Sequence, residues 1–235
     1  MRRFYKSVDV TGQEPRVGVT LDGKSMRTPA GKVFELPTLA LARATAEEWA
    51  AVPEKGEIRP EAMPLTRLAM TALDRAAPQR AKVIADIAAY GESDLLCYRA
   101  DQPLELVRRQ TEGWDPMVAW AREAYGAELA VTVGVMPVAQ APEAVAALRR
   151  AVEPCDDFEL SALFQLTAGM GSVVLALAVR GARLTAEEAS DLAEIDAAWQ
   201  LERWGEDAEA SARRTRLRGD MLAAGRFLAL LRATA

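Results

Sequence analysis

Val33-Phe34-Glu35-Leu36-Pro37-Thr38-Leu39-Ala40-Leu41-Ala42-Arg43-Ala44-Thr45-Ala46-Glu47-Glu48-Trp49 is where the hydrophobic pattern of this chain changes period. Val33 to Leu36 is the last of several short β-prone runs, following Phe4 to Val10, Val17 to Leu21 and Lys24 to Thr28. Asp22-Gly23 is a hairpin signal, and Pro29-Ala30-Gly31-Lys32 supplies a second turn. After Leu36 the spacing becomes helical. Thr38 can cap a helix over Leu39 to Val52, whose Leu39, Ala42, Ala46 and Trp49 share one face. A change from period two to about 3.6 residues predicts an α+β fold, with a small β-rich N-terminal domain followed by a larger all-helical C-terminal domain.

The boundary falls in Pro53 to Pro64, which is broken by prolines and Gly56. Residues 1–62 then form the β-rich domain with its one helix, and residues 63–235 the helical domain. Thr66 to Ala76 and Gln79 to Tyr90 are amphipathic, and Leu104 to Trp114 and Pro116 to Tyr125 read as two helices broken at Asp115-Pro116. Val131 to Val138 is the one β-like interruption. Helices are predicted again over Pro142 to Val152, Asp156 to Met170, Ser172 to Val179, Thr185 to Arg203 and Glu206 to Leu231, with Gly205 bending the last pair. Gly169-Met170-Gly171-Ser172 lacks the spacing of a phosphate loop and reads as a tight turn between helices. In Gly91 to Arg99, Asp94 or Arg99 is expected to tie a helix end.

Composition narrows the chemistry. The chain of 235 residues is 50% hydrophobic, enough for a well-buried core, and contains no histidine. That absence removes the commonest general base, the commonest metal ligand and every Ser-His or Cys-His pair. Cys97 and Cys155 fit no zinc or CxxC spacing, so free thiols in a reducing compartment are expected. No catalytic residue, cofactor or metal site is assigned. With a net charge of −5 and only short basic clusters, nucleic acid is not an expected partner. No apolar run approaches the roughly 20 residues of a membrane helix. Met1-Arg2-Arg3 leads straight into β-prone sequence without a leader pattern, so a cytoplasmic protein without membrane insertion is expected.

One segment stands out chemically. Trp199-Gln200-Leu201-Glu202-Arg203-Trp204-Gly205-Glu206-Asp207-Ala208-Glu209 sets two of the five tryptophans among carboxylates on what reads as one helix. At about 100° per residue, Leu192, Ile195, Trp199, Arg203, Glu206 and Ala210 fall in one stripe, so charges interrupt an apolar face. From Glu187 to Glu209, nine carboxylates accompany a single basic residue, Arg203. Two readings are open: core tryptophans with an internal Arg203/Glu206 ion pair, or a surface that receives a partner. Trp199, Gln200, Glu202, Arg203, Trp204, Glu206 and Asp207 form the candidate partner-binding site.

Leu21-Asp22-Gly23-Lys24 with Arg27-Thr28-Pro29-Ala30-Gly31, Met63-Pro64-Leu65-Thr66-Arg67-Leu68, and Ser93-Asp94-Leu95-Leu96-Cys97-Tyr98-Arg99 occur in that order. Gln110 with Trp114-Asp115-Pro116, and Trp199-Gln200 with Glu202-Arg203-Trp204-Gly205-Glu206-Asp207, follow them. Together these strings resemble the F1-ATPase assembly chaperone family that attends the α subunit of ATP synthase, and the resemblance spans essentially the whole chain. It implies a β-rich N-terminal domain followed by a helical one. It also implies a protein that is no enzyme, one that binds free F1 α subunit and prevents its aggregation or self-association until β replaces it; a monomer is expected separately. The missing leader resembles the bacterial branch, and Ala197-Ala198 stand where the family often has acidic residues. Trp199 and Trp204 would serve as anchors, with Glu202, Glu206 and Asp207 meeting cations of the client. The alternative is a carboxylate-based enzyme or small-ligand carrier using the acidic cluster in an interdomain cleft.

Overall fold

The structure, a computed structural model, describes residues 1–134, 136–205 and 208–233, which fall into two compact units. The first contains Met1–Arg80, Asp156–Ala162 and the last helix from Arg226 on. Its sheet consists of β1 (Val8–Gln13), β2 (Arg16–Leu21), β3 (Lys24–Ser25) and β4 (Glu35–Leu36), with β2 paired antiparallel to each of the others. Val8 faces Leu21 across the first pair, and Val17 faces Leu36 across the last. Asp22 and Gly23 take φ of 49° and 75°, the positive values that a two-residue hairpin turn demands. The Asp22 carboxylate accepts the Lys6 and Ser7 N–H groups, each at 2.8 Å, and so ties the chain before β1 to the turn.

Val17, Val19 and Leu21 of β2 are buried, as are Leu41, Ala42, Thr45 and Trp49 of α1 (Leu39–Ala50), which lies against the sheet. The predicted cap is present: Thr38 Oγ1 accepts the Leu41 N–H at 3.2 Å. A second cap was not legible locally. Glu48 of α1 accepts Leu65 N–H, Thr66 N–H and the Thr66 hydroxyl at 2.7–2.8 Å, and so serves the N-terminus of α2 (Pro64–Thr71). Burial raises the Glu48 carboxyl above the usual range, against the pull of these donors.

The second unit contains Ala81–Cys155 and Leu163–Gly225. Its elements are α3 (Arg80–Ala89), β5 (Tyr98–Arg99), α4 (Leu104–Tyr125), β6 (Thr132–Val133), α5 (Pro142–Val152), α6 (Asp157–Met170), α7 (Val173–Arg180), α8 (Ala186–Ala193), α9 (Ile195–Trp204) and α10 (Ala208–Arg232), some of them shared with the first unit. The α+β fold is as predicted, β structure near the N-terminus and helix after it. The one refinement is the short parallel pair β5–β6, of which β6 lies in the β-like run noticed from Val131 and β5 closes the Gly91 to Arg99 segment.

The unit closes around α7, whose residues Val173 to Val179 are all buried. Gly171, at φ 64°, makes the expected turn, and Ser172 caps α7 by accepting the Leu175 N–H at 3.1 Å. Buried Asp94 accepts from Leu96 N–H at 3.1 Å and Val174 N–H at 3.2 Å, joining the turn before β5 to the start of α7. Arg99 donates to the carbonyls of Leu96 and Gln110 and pairs with Asp115 at 2.8 Å.

Two helix boundaries differ from expectation. Residues 104–125 form one helix of 22 residues with Pro116 inside it, not a broken pair. An internal proline costs about 3 kcal/mol, yet Trp114, Met117 and Ala121 are buried on one continuous face. Asp115 and Pro116 lie on the exposed side, where the Glu112 carbonyl left without a donor can be hydrated. Asp115 pairs with Arg99. Conversely, the single helix predicted over Thr185 to Arg203 is divided at Glu194, with φ −96° and ψ 6°. Trp114 Nε1 donates to the Leu192 carbonyl at 2.8 Å, taking the acceptor that a continuing helix would offer to Asp196 N–H.

Both cysteines are fully buried. Burial, with Asp94 adding to it, pushes the Cys97 thiol up to about 12. A chromogenic disulfide reagent is therefore expected to react slowly with the native chain and to titrate two thiols per chain once it is unfolded. Rapid native reaction at either cysteine contradicts this packing.

Candidate functional site

The segment singled out in the sequence is carried by α9, which rests on α4. Gly113 permits the approach, since a Cβ there would come within 2.8 Å of Leu192 and 2.9 Å of Ile195. Gln110, only 2% exposed, donates to Asp196 at 2.6 Å and accepts Ala100 N–H at 2.8 Å. These contacts fix the start of α9, and the Trp114 bond to Leu192 fixes the break before it.

Along the exposed seam the charges form a ladder. The Arg109 guanidinium grips Glu202 with both prongs, Nη1 to Oε1 at 2.8 Å and Nη2 to Oε2 at 2.9 Å. It also donates to Glu105 at 2.7 Å, and Glu105 approaches Arg203 at 3.5 Å. Hydrogen bonding to Arg109 holds the Glu202 carboxyl below its usual range. A carboxylate so held is a poor general base, which needs a pKa near the working pH. Among the described residues, no group of three acidic or thiol side chains is placed to hold a metal ion.

The two tryptophans take different places. Trp199 is 7% exposed, with its indole N–H buried and lacking an acceptor among the described residues. The Arg203 guanidinium lies over its ring, 4.8 Å from the centroid. Trp204 meets Trp199 edge to face at 5.5 Å and is 73% exposed. An aromatic ring so exposed beside paired charges offers a large apolar contact within a polar rim. Gln200 is exposed on the same helix.

The stripe drawn through Ala210 does not lie on one helix, because α9 ends at Trp204 and Gly205 adopts φ 76° and ψ −177°. Glu206 and Asp207 lie outside the described residues. Sequence reading missed Arg109, Glu105 and Arg218. Arg109 neutralises Glu202, while Arg218 pairs with Asp191 at 2.7 Å and lies 3.7 Å from Glu194. Many of the carboxylates that outnumbered Arg203 thus have cationic or amide partners from α4 and α10. The Glu105–Arg109 spacing of four on α4 was the available local signal.

Comparison with known proteins adds the following. Residues 2–122 match the family model described as ATP12 chaperone protein. The mitochondrial protein atp12 of Schizosaccharomyces pombe is 24% identical over 220 residues, covering 88% of this chain and 75% of that protein. The crystal structure of Atp12 from Paracoccus denitrificans is 46% identical, with a TM-score of 0.91 and 98% of each chain covered. A lysine mutant of the same P. denitrificans protein also superposes with a TM-score of 0.91. The Atu1473 protein of Agrobacterium tumefaciens is 42% identical, with a TM-score of 0.91, over 98% of this chain and 86% of that one.

Proposed function

The chain belongs to the ATP12 family of F1-ATPase assembly chaperones, and from that premise we propose that it binds the free α subunit of F1 and prevents its aggregation or self-association before the α/β hexamer forms. The observation that carries this reading is Trp204, a large apolar ring exposed beside the Glu202–Arg109–Glu105–Arg203 ladder. An isolated subunit of a hexamer exposes surface that assembly later buries, and such a patch is an aggregation hazard. Trp204 is the proposed anchor, stiffened by Trp199 beneath it. Gln200, Glu202 and Arg203 supply the polar rim, and Glu206 and Asp207, outside the described residues, are proposed as further client contacts.

Binding of this kind needs no turnover, cofactor or metal, and we propose a monomer that β displaces by taking the same client surface. Identities of 42% and 46% to bacterial proteins, against 24% to a mitochondrial one, support work in a bacterial cytoplasm. None of the helices among the described residues is long and apolar enough to cross a membrane.

The test is retention. F1 α and F1 β subunits from the same organism, expressed separately, are passed over this protein immobilised through its N-terminus. Retained, soluble α with unretained β is expected. Retention of β alone, or of neither, removes the α-subunit reading.

A further inference from the structure

Gln110 sits on the face of α4 that otherwise buries Leu106, Trp114, Met117 and Ala121. It is 2% exposed, and an amide so placed is costly unless both its ends are bonded. Both are. Its Oε1 accepts the Ala100 N–H at 2.8 Å, and its Nε2 donates at 2.6 Å to Asp196, the second residue of α9. The backbone N–H can only donate and the carboxylate accepts, so the position demands an acceptor and a donor on one short fork. A carboxylate lacks the donor, and an apolar side chain lacks both. The Gln110 carbonyl also accepts Arg99 Nη1 at 3.2 Å, which ties the same turn of α4 to β5.

The ion pairs between α4 and α9 leave the rotation of α9 open. Arg109 serves both Glu202 and Glu105, and Arg203 approaches Glu105, so the charges of a turned α9 would still find partners in the ladder. These pairs are exposed as well, and exposed pairs constrain little. The Trp114 bond to the Leu192 carbonyl acts on the end of α8, before α9 begins. Asp196 is different, because its partner is buried and is itself held by the Ala100 backbone. At about 100° per residue, Trp199 lies about 60° to one side of Asp196 and Trp204 about 80° to the other. A roll of α9 about its axis would trade one indole for the other, and holding Asp196 prevents it.

We propose that Gln110 is a positioning residue of the α9 surface: by holding Asp196 it sets the rotation of α9, which keeps Trp199 packed inward and Trp204 presented outward to the client. The inference rests on the chaperone reading only for what Trp204 meets, since the rotation is a property of this chain alone. Gln110 is buried and acts through Asp196, without touching the client itself. A hydrogen bond to a charged group outweighs an exposed ion pair, so this one contact governs the display of Trp204 more than the whole ladder does.

The experiment uses the full chain with isotope-labelled tryptophans, whose five indole N–H signals are assigned by replacing each ring in turn with phenylalanine. Gln110→Glu sets a carboxylate against Asp196. It is expected to shift the Trp199 and Trp204 signals, to quicken exchange of the Trp199 N–H with water, and to leave Trp49 and Trp120 unmoved. Combining Gln110→Glu with Asp196→Asn exchanges donor and acceptor: the introduced carboxylate accepts from the Ala100 N–H and from the introduced amide, so both signals should return. A general loss of stability would not be repaired by that exchange. Gln110→Met, which removes both ends without adding charge, is the second variant should Gln110→Glu melt early, and it should move the same two signals. In an aggregation assay of the F1 α subunit, Gln110→Glu is expected to protect at least about tenfold less well, and the combined variant to recover. Unmoved Trp199 and Trp204 signals in the Gln110 variants, or a folded combined variant in which they stay displaced, overturns the positioning role. Moved signals with unchanged protection uphold that role and remove α9 as the client surface, so the two failures are separate results.

Discussion

Replacing Trp114 by alanine is expected to lower the unfolding free energy by about 3–5 kcal/mol, read from urea denaturation at unchanged m-value. The ring is wholly buried in α4, its N–H holds the Leu192 carbonyl at 2.8 Å, and the Arg99 guanidinium lies 5.2 Å from its centroid. Deleting it opens a cavity against the α8–α9 joint and leaves the Arg99 side chain, itself 8% exposed, without its aromatic neighbour. Trp114→Phe separates the contributions: it keeps most of the volume and loses the hydrogen bond, which should cost about 1 kcal/mol plus a smaller packing loss. A loss below about 1 kcal/mol for Trp114→Ala would mean that this part of the core collapses freely around the missing ring.

Glu202→Lys is expected to cut protection of the α subunit by more than tenfold while leaving the circular dichroism melt nearly unchanged. The ladder is balanced at present, with Glu105 and Glu202 against Arg109 and Arg203. A lysine at position 202 leaves three cations against Glu105 and repels any basic client group that the rim receives, and reversed charge across an interface slows encounter and weakens the complex. The stability effect stays small because the pair is solvent-exposed, and exposed ion pairs contribute little. Glu202→Gln removes the attraction without adding repulsion and should fall between the two. Asp207→Lys, outside the described residues, is expected to act in the same direction. Full protection by a well-folded double charge-reversal variant would eliminate α9 as the client surface.

How much of this was readable follows from where each signal resides. The hairpin at Asp22-Gly23 and the Thr38 cap are specified by neighbours in sequence, so the sheet and α1 were legible. Pro116 and the unbroken stretch at Thr185 to Arg203 misled because both outcomes are decided from outside the segment. Continuous burial of Trp114, Met117 and Ala121 keeps α4 whole despite its proline, and the indole of Trp114 interrupts a helix that nothing local would stop. The acidic segment was recognised as unusual, but the ion partner of Glu202 lies 93 residues away and leaves no periodic trace. Trp199 and Trp204 illustrate the opposite case. Five positions turn a helix by about 140°, so one ring had to face inward and the other outward, and the spacing alone held that information.

The ten-residue length of α9 sets a thermal limit on its work. A helix shorter than about 12–15 residues is marginal by itself in water. Its order is therefore borrowed from α4, through the Gln110–Asp196 and Arg109–Glu202 contacts, with the Trp114–Leu192 bond fixing the end of α8 just before it. On heating, such an element frays before the buried α7 region loosens, since local opening needs only a fraction of the global free energy. With α9 as the proposed client surface, the molecule would then stop holding clients while most of its backbone is still folded, and would regain that capacity on cooling without refolding its core.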